Sequence, residues 1–242
     1  MTTTTAMPAD VDRWGRLVRK TGIAGLISVG MLFAPFPALS ILGKGEPPLT
    51  ATAEQARAYF TSGSVGSAQL VTVVPKLAAI ALIWFLVGLA LLLARAEGNP
   101  PWRSGVALVS GVTLAAYLLL DAGWDAAFYG AADLDPAVAS FAFDLGNLGF
   151  ANTWLALGSF ALCCGWVVLS TRVLGRWLGW WAIVAGVGLI LVRFAWSGDI
   201  WIAAYSLFWL WLIIVCIQLI RRKIALPEAA AAASGGFRES AL

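Results

Sequence analysis

The stretch 69–94, QLVTVVPKLAAIALIWFLVGLALLLA, carries a single ionisable side chain, Lys76. A helix of about 20 apolar residues crosses the roughly 30 Å hydrocarbon core of a bilayer, so this segment reads as a membrane span. Five more apolar segments share that character, at about 22–42, 104–129, 138–170, 177–197 and 200–220. The breaks between them carry turn and charge signals: Gly43–Pro48, EGNPPWR at 97–103, GAADLDP at 130–136, TRVLGR at 171–176 and SGD at 197–199. Whole-chain composition agrees. Of 242 residues, 60% are hydrophobic and 12% charged, about half the charged share of an ordinary soluble domain.

The expected fold is therefore all-α, a polytopic bundle of six transmembrane helices. Basic residues orient it, because cytoplasmic flanks retain Lys and Arg. One side holds Arg13, Arg16, Arg19, Lys20, Arg95, Arg103, Arg172, Arg176, Arg221, Arg222, Lys223 and Arg238, and the other only Lys44 and Arg57. Both termini are expected in the cytoplasm. The organisation is a cytoplasmic segment 1–21, a six-helix domain 22–222 and a disordered Ala-rich tail 223–242. The first span is longer than the apolar core of a signal peptide and lacks a small-residue cleavage site after it, so it reads as an anchor. The fourth exceeds what a bilayer needs, which predicts tilt or extension beyond the membrane.

In the connection 43–68, Thr52 and Gln55 are spaced as a capping box, with Tyr59 and Phe60 following at helical intervals. This predicts a short external amphipathic helix, either resting at the interface or covering a site.

Ionisable residues inside spans are costly and by default mark function. Those of this chain fall on one side. Lys76 lies about seven residues from the outer end of span two, Asp125 and Asp121 about four and eight from that of span three, and Asp144 about six from that of span four. Arg193 lies about four from the outer end of span five. At about 1.5 Å per residue these depths nearly coincide. Asp121 and Asp125 share a helix face at i, i+4, beside Trp124 and Phe128. Asp144 and Asn147 are i, i+3, flanked by Gly146 and Gly149, which allow close helix approach. An outward-facing polar pocket follows as an expectation, lined by Asp121, Asp125, Asp144, Asn147, Trp124, Trp196, Lys76 and Arg193. Two cations against three embedded carboxylates leave either a net negative charge or one protonated Asp. Structural pairing is the plainer reading for Lys76 and Arg193. RWLGWW at 176–181 reads as an interfacial anchor.

Several classes of chemistry find no support. The chain has no histidine, and it lacks a Walker loop, a GxSxG elbow and HExxH. Cys163, Cys164 and Cys216 lie in apolar runs and read as packing residues. No metal, cofactor or nucleic acid is called for. Three functions stay open: binding or passage of a small solute or lipid; a membrane enzyme such as an acid-initiated isoprenoid cyclase, with Asp121 or Asp144 as the acid and Trp124, Phe128, Tyr129 and Trp196 stabilising a cation; and a subunit of a membrane-protein complex.

Three motifs carry a resemblance. PPLTATAEQARAYF at 47–60, FDLGNLGFA at 143–151 and RVLGRWLGWWAIVAGV at 172–187 together resemble a group of small actinobacterial six-span proteins similar to the domain of unknown function 4386. The resemblance covers roughly residues 20–222. It implies fold and location, supplies no activity, and places Asp144 and Asn147 in a characteristic family segment, leaving Asp121 and Asp125 as features of this chain. The small integral-membrane terpene cyclases are similar in size only, being usually described with one more span; their acidic motifs do not align.

Overall fold

The computed structural model describes residues 8–35, 46–48, 50–62, 65–130, 133–195 and 199–221. Among them every element is helical: α1 (Pro8–Phe33), α2 (Ala53–Thr61), α3 (Val65–Glu97), α4 (Trp102–Leu120), α5 (Ala122–Tyr129), α6 (Pro136–Thr171), α7 (Arg176–Val192) with a 3-10 turn Arg193–Ala195, and α8 (Ile200–Arg221). Five stretches are long and apolar enough to cross a membrane: Thr72–Glu97, Trp102–Tyr129, Pro136–Thr171, Arg176–Ala195 and Ile200–Arg221. The bundle's outer surface is apolar as well. Trp84 is 74% and Phe194 85% exposed, far more than water tolerates in such number and as expected of an apolar surround.

Side-chain contacts fix the direction of each helix. Arg95 lies over the Trp14 ring, Thr21 meets Gly88 and the Ser28 hydroxyl donates to the Ala78 carbonyl, so α1 and α3 run antiparallel. Gly111 against Leu86 pairs α3 with α4. Trp102 against Trp166 and Ser110 hydrogen-bonded to Ser159 pair α4 with α6. The indoles of Trp181 and Trp211 donate to the Leu207 and Leu178 carbonyls and pair α7 with α8. Gly22 against Cys216 closes the ring from α1 to α8. Successive long helices alternate in direction, so the start of α1, the α3–α4 turn, the α6–α7 turn and the end of α8 share one end.

Helix α6 is the axis of the fold, 36 residues long and thus longer than the bilayer requires. Asp135 caps it by accepting from Ala137 N at 2.8 Å, with Pro136 in the first turn. Its contact with α7 is set by glycine. A Cβ on Gly158 would stand 2.9 Å from the Gly186 carbonyl, and one on Gly165 2.8 Å from that of Gly179. Backbones this close gain the packing that drives helix association in lipid.

The α3–α4 turn is tied by Glu97. Its carboxylate accepts from the Arg103 Nε at 2.7 Å, the Ser104 hydroxyl at 2.5 Å and the backbone N–H groups of both residues. The Arg103 guanidinium also donates to Ser170 and lies over the Trp166 ring. A remote carboxylate thereby satisfies the first-turn donors of α4 that its own N-cap, Pro101, leaves without a side-chain bond.

Two helix boundaries add to the expected segments. Helix α1 carries the apolar segment expected from about 22 and includes the basic run before it, described from Pro8 onward. The third apolar segment is two helices, broken at Asp121. Residues 36–42 of the first expected span and the tail 223–242 lie outside the described residues.

Candidate functional site

At the end opposite the basic turns, three pieces of the fold come together around α5. The first is in α3, where Pro75 sits inside a helix that runs unbroken from Val65 to Glu97 and contributes no N–H to its ladder. The next residue, Lys76, donates its ammonium to the Thr72 carbonyl at 2.9 Å and pairs with Asp125 Oδ2 at 2.6 Å. Their side chains keep 29% and 28% of their surface exposed, so the pair is neither dry nor fully screened. The Thr72 hydroxyl lies 3.2 Å from that of Tyr129, which ties α3 to the end of α5 a second time.

The second piece is the break at Asp121, with φ −69 and ψ 85 between two helical segments. The Tyr117 hydroxyl reaches Asp121 Oδ2 at 3.2 Å and the Gly146 carbonyl at 2.9 Å. A phenol has one proton to donate, so it serves only one of these acceptors at a time. Among the described residues no cation stands within ion-pair distance of Asp121, while Lys76 serves Asp125. Glycines on α6 admit this arrangement. A Cβ on Gly146 would overlap the Trp124 indole nitrogen, and one on Gly149 would lie 2.6 Å from the Tyr117 ring. The Trp124 nitrogen is buried and has no hydrogen-bond partner among the described residues.

The third piece is α2, which packs on α5 and α6. Thr52 and Gln55 form the capping box, Gln55 N to Thr52 Oγ1 at 3.3 Å and Thr52 N to Gln55 Oε1 at 2.9 Å. Phe60, 1% exposed, packs edge-on to Trp124 and Phe128 with ring centroids 5.7 and 4.9 Å away. Tyr59 lies 5.8 and 5.6 Å from the same two rings, and Trp124 stacks on Phe143. Burial, with the Glu46 carboxylate nearby, pushes the Tyr59 phenol above its ordinary range.

No family model, no curated protein and no solved structure matches this chain. Its chemistry therefore rests on the geometry of these residues.

Lys76, Asp121, Asp125 and Trp124 converge, and the other expected residues are placed differently. Asp144 is exposed on α6 while Asn147, three residues on, is buried and donates to the Phe143 carbonyl of its own helix at 3.0 Å. The two do not form one stripe facing Asp121, since a spacing of three leaves about 60° between side chains, enough here to turn one outward and one inward. Arg193 meets no carboxylate among the described residues; its Nε and Nη2 both donate to Asn152 Oδ1, at 2.9 and 2.8 Å, and so join α7 to α6. Trp196 lies outside the described residues. Sequence reasoning passed over Tyr117 and Thr72. Each stands four residues before a charge already singled out, Tyr117 before Asp121 and Thr72 before Lys76, and that interval was the signal available.

The assembled group offers two carboxylates, an ammonium and hydroxyls beside a cluster of aromatic rings. That combination suits an amphiphile, with a polar head on the charges and an apolar body along the rings.

Proposed function

We propose that the chain is a six-span protein of a bacterial plasma membrane, both termini cytoplasmic, whose polar group, beside the aromatic cluster that an external α2 packs on, binds or passes a small solute or lipid. The observation that carries this reading is the helix break at Asp121, beside the Lys76–Asp125 pair that joins α5 to α3. Irregular backbone at membrane depth is tolerated where it is buried in protein or lines a cavity, and broken helices form the substrate sites of many transporters. Charge asymmetry supports the orientation, and the sequence motifs at 47–60, 143–151 and 172–187 support kinship with proteins similar to the domain of unknown function 4386.

The test is mass spectrometry of small molecules retained by gently purified wild-type protein and by Asp121→Asn and Asp125→Asn. A species held by the wild type and lost from both variants is the expected result. Retention unchanged in both variants would reject this group as the site.

The rings of Tyr59, Trp124 and Phe128 beside Asp121 favour a second reading at the same place, an acid-initiated cyclase of isoprenoid substrates. It predicts an isomeric product from a prenylated substrate incubated with membranes, absent with Asp121→Asn. The exposed Asp144 favours a third, a subunit of a membrane complex. An Asp turned out from an apolar helix is costly unless a partner meets it, and co-purification of a partner lost with Asp144→Leu would show it.

A further inference from the structure

The opposite end of the bundle has its own unassigned feature. Nine described cations gather there: Arg13, Arg16, Arg19, Lys20, Arg95, Arg103, Arg172, Arg176 and Arg221. The acids of the same described segments are Asp10, Asp12 and Glu97, and Glu97 is consumed by its clamp on Arg103 and Ser104. Arg13, Arg16, Arg19, Lys20, Arg172, Arg176 and Arg221 are all exposed, and none is ion-paired with an acid whose side chain is described.

These cations are held in place by the fold. Helix α1 continues without interruption from its apolar part back through the basic run to Pro8. Trp14 is fixed beneath the Arg95 guanidinium, 4.5 Å from its ring centroid, and Val18 is buried. With those two residues anchoring one side, Arg13, Arg16 and Lys20, at i, i+3 and i+7, line the other. Across the bundle, Arg172 closes α6 in a left-handed conformation (φ 60) and Arg176 opens α7. Around the same end stand four indoles at least half exposed, Trp102, Trp166, Trp177 and Trp180. Exposed Trp rings settle at the level of lipid headgroups, which sets the depth of the neighbouring cations.

We infer that this end is a docking surface for anionic phospholipid headgroups of the leaflet it faces. Charge complementarity selects the partner: a surplus of exposed cations on helical backbone at headgroup depth attracts phosphate diesters with a net negative charge and gains little from zwitterionic lipid. The surface is remote from Asp121 and Lys76, so it stands or falls separately from the proposed site.

The test reconstitutes the full chain in bilayers of equal parts phosphatidylglycerol and phosphatidylcholine, then measures by native mass spectrometry which lipid it retains. Phosphatidylglycerol is expected in excess, with the excess falling at least about fivefold in R13Q/R16Q/K20Q and in R172Q/R176Q and persisting in R13K/R16K. High salt weakens it in the wild type. Equal retention of the two lipids by the wild type overturns the inference whether or not the variants fold. So does an excess that the folded Gln variants keep.

Discussion

Removing either partner of the Lys76–Asp125 pair leaves a charge that is nearly three-quarters buried and uncompensated. Lys76→Met or Asp125→Leu alone should therefore lower stability by about 1–3 kcal/mol, between the values for exposed and buried pairs. The double variant should recover part of that loss, which thermal unfolding in detergent would measure; full additivity would mean the two groups do not interact. A second residue-scale case is Gly146, whose missing side chain is the seat of the Trp124 indole. Gly146→Leu must expel that ring, and with it the surface on which Tyr59 and Phe60 rest. Trypsin cleavage at Arg57 should become fast in this variant. Gly30→Ala is the control, since a methyl group there meets nothing within 4 Å and should leave cleavage unchanged.

At the scale of elements, α2 is the most separable piece, a short helix held by its cap and by two rings. Thr52→Ala should cost about 1 kcal/mol of its local stability, and Phe60→Ala more, as loss of a fully buried aromatic side chain. Protection of Arg57 from trypsin would rank them. Docking should also depend on pH, with a definite sign. The Tyr59 phenol has a raised pKa where α2 is docked, so the stability linked to it is complete below its ordinary value of about 10 and is lost as pH rises beyond that. Arg57 should become accessible in alkali, and Tyr59→Phe should remove the dependence. The helix itself was legible in the sequence, because Thr52 and Gln55 carry a local signal that needs no tertiary contact. The division of the third span was not. LLLDAGWDAAFY keeps its apolar character through Asp121, and what fixes the break there is the meeting with Tyr117 and Gly146, partners that no local pattern reveals. Asp144 failed to join Asp121 for a related reason: depth along a span can be counted from sequence, whereas rotation about the helix axis is decided by packing.

For the whole molecule, the alternation of α1, α3, α4–α5, α6, α7 and α8 brings the start of α1 and the end of α8 to one end, with the described cations of the α3–α4 and α6–α7 turns. The apolar segments were legible because length and hydropathy alone identify a span, and five of the six correspond to stretches fit to cross a membrane. The first segment continues past the described residues, so the number of crossings turns on α1. If α1 crosses, an even number of spans returns the chain to its side of origin, and positive flanks retain that side in the cytoplasm. A fluorescent protein that matures only in the cytoplasm should then light up when fused at either terminus. Alkaline phosphatase, active only outside, should work when inserted after Thr61 and fail when inserted after Gly98. Were α1 to lie on the surface without crossing, the N-terminal fusion and the Thr61 insertion would report the same side, and the charges around Lys76 would face the cytoplasm or the basic turns the exterior. Because α1 is packed on α3 through Gly25 against Phe85 and through Ser28 against the Ala78 carbonyl, at positions well inside the apolar run of α3, opposite sides for the two reporters are the expected outcome.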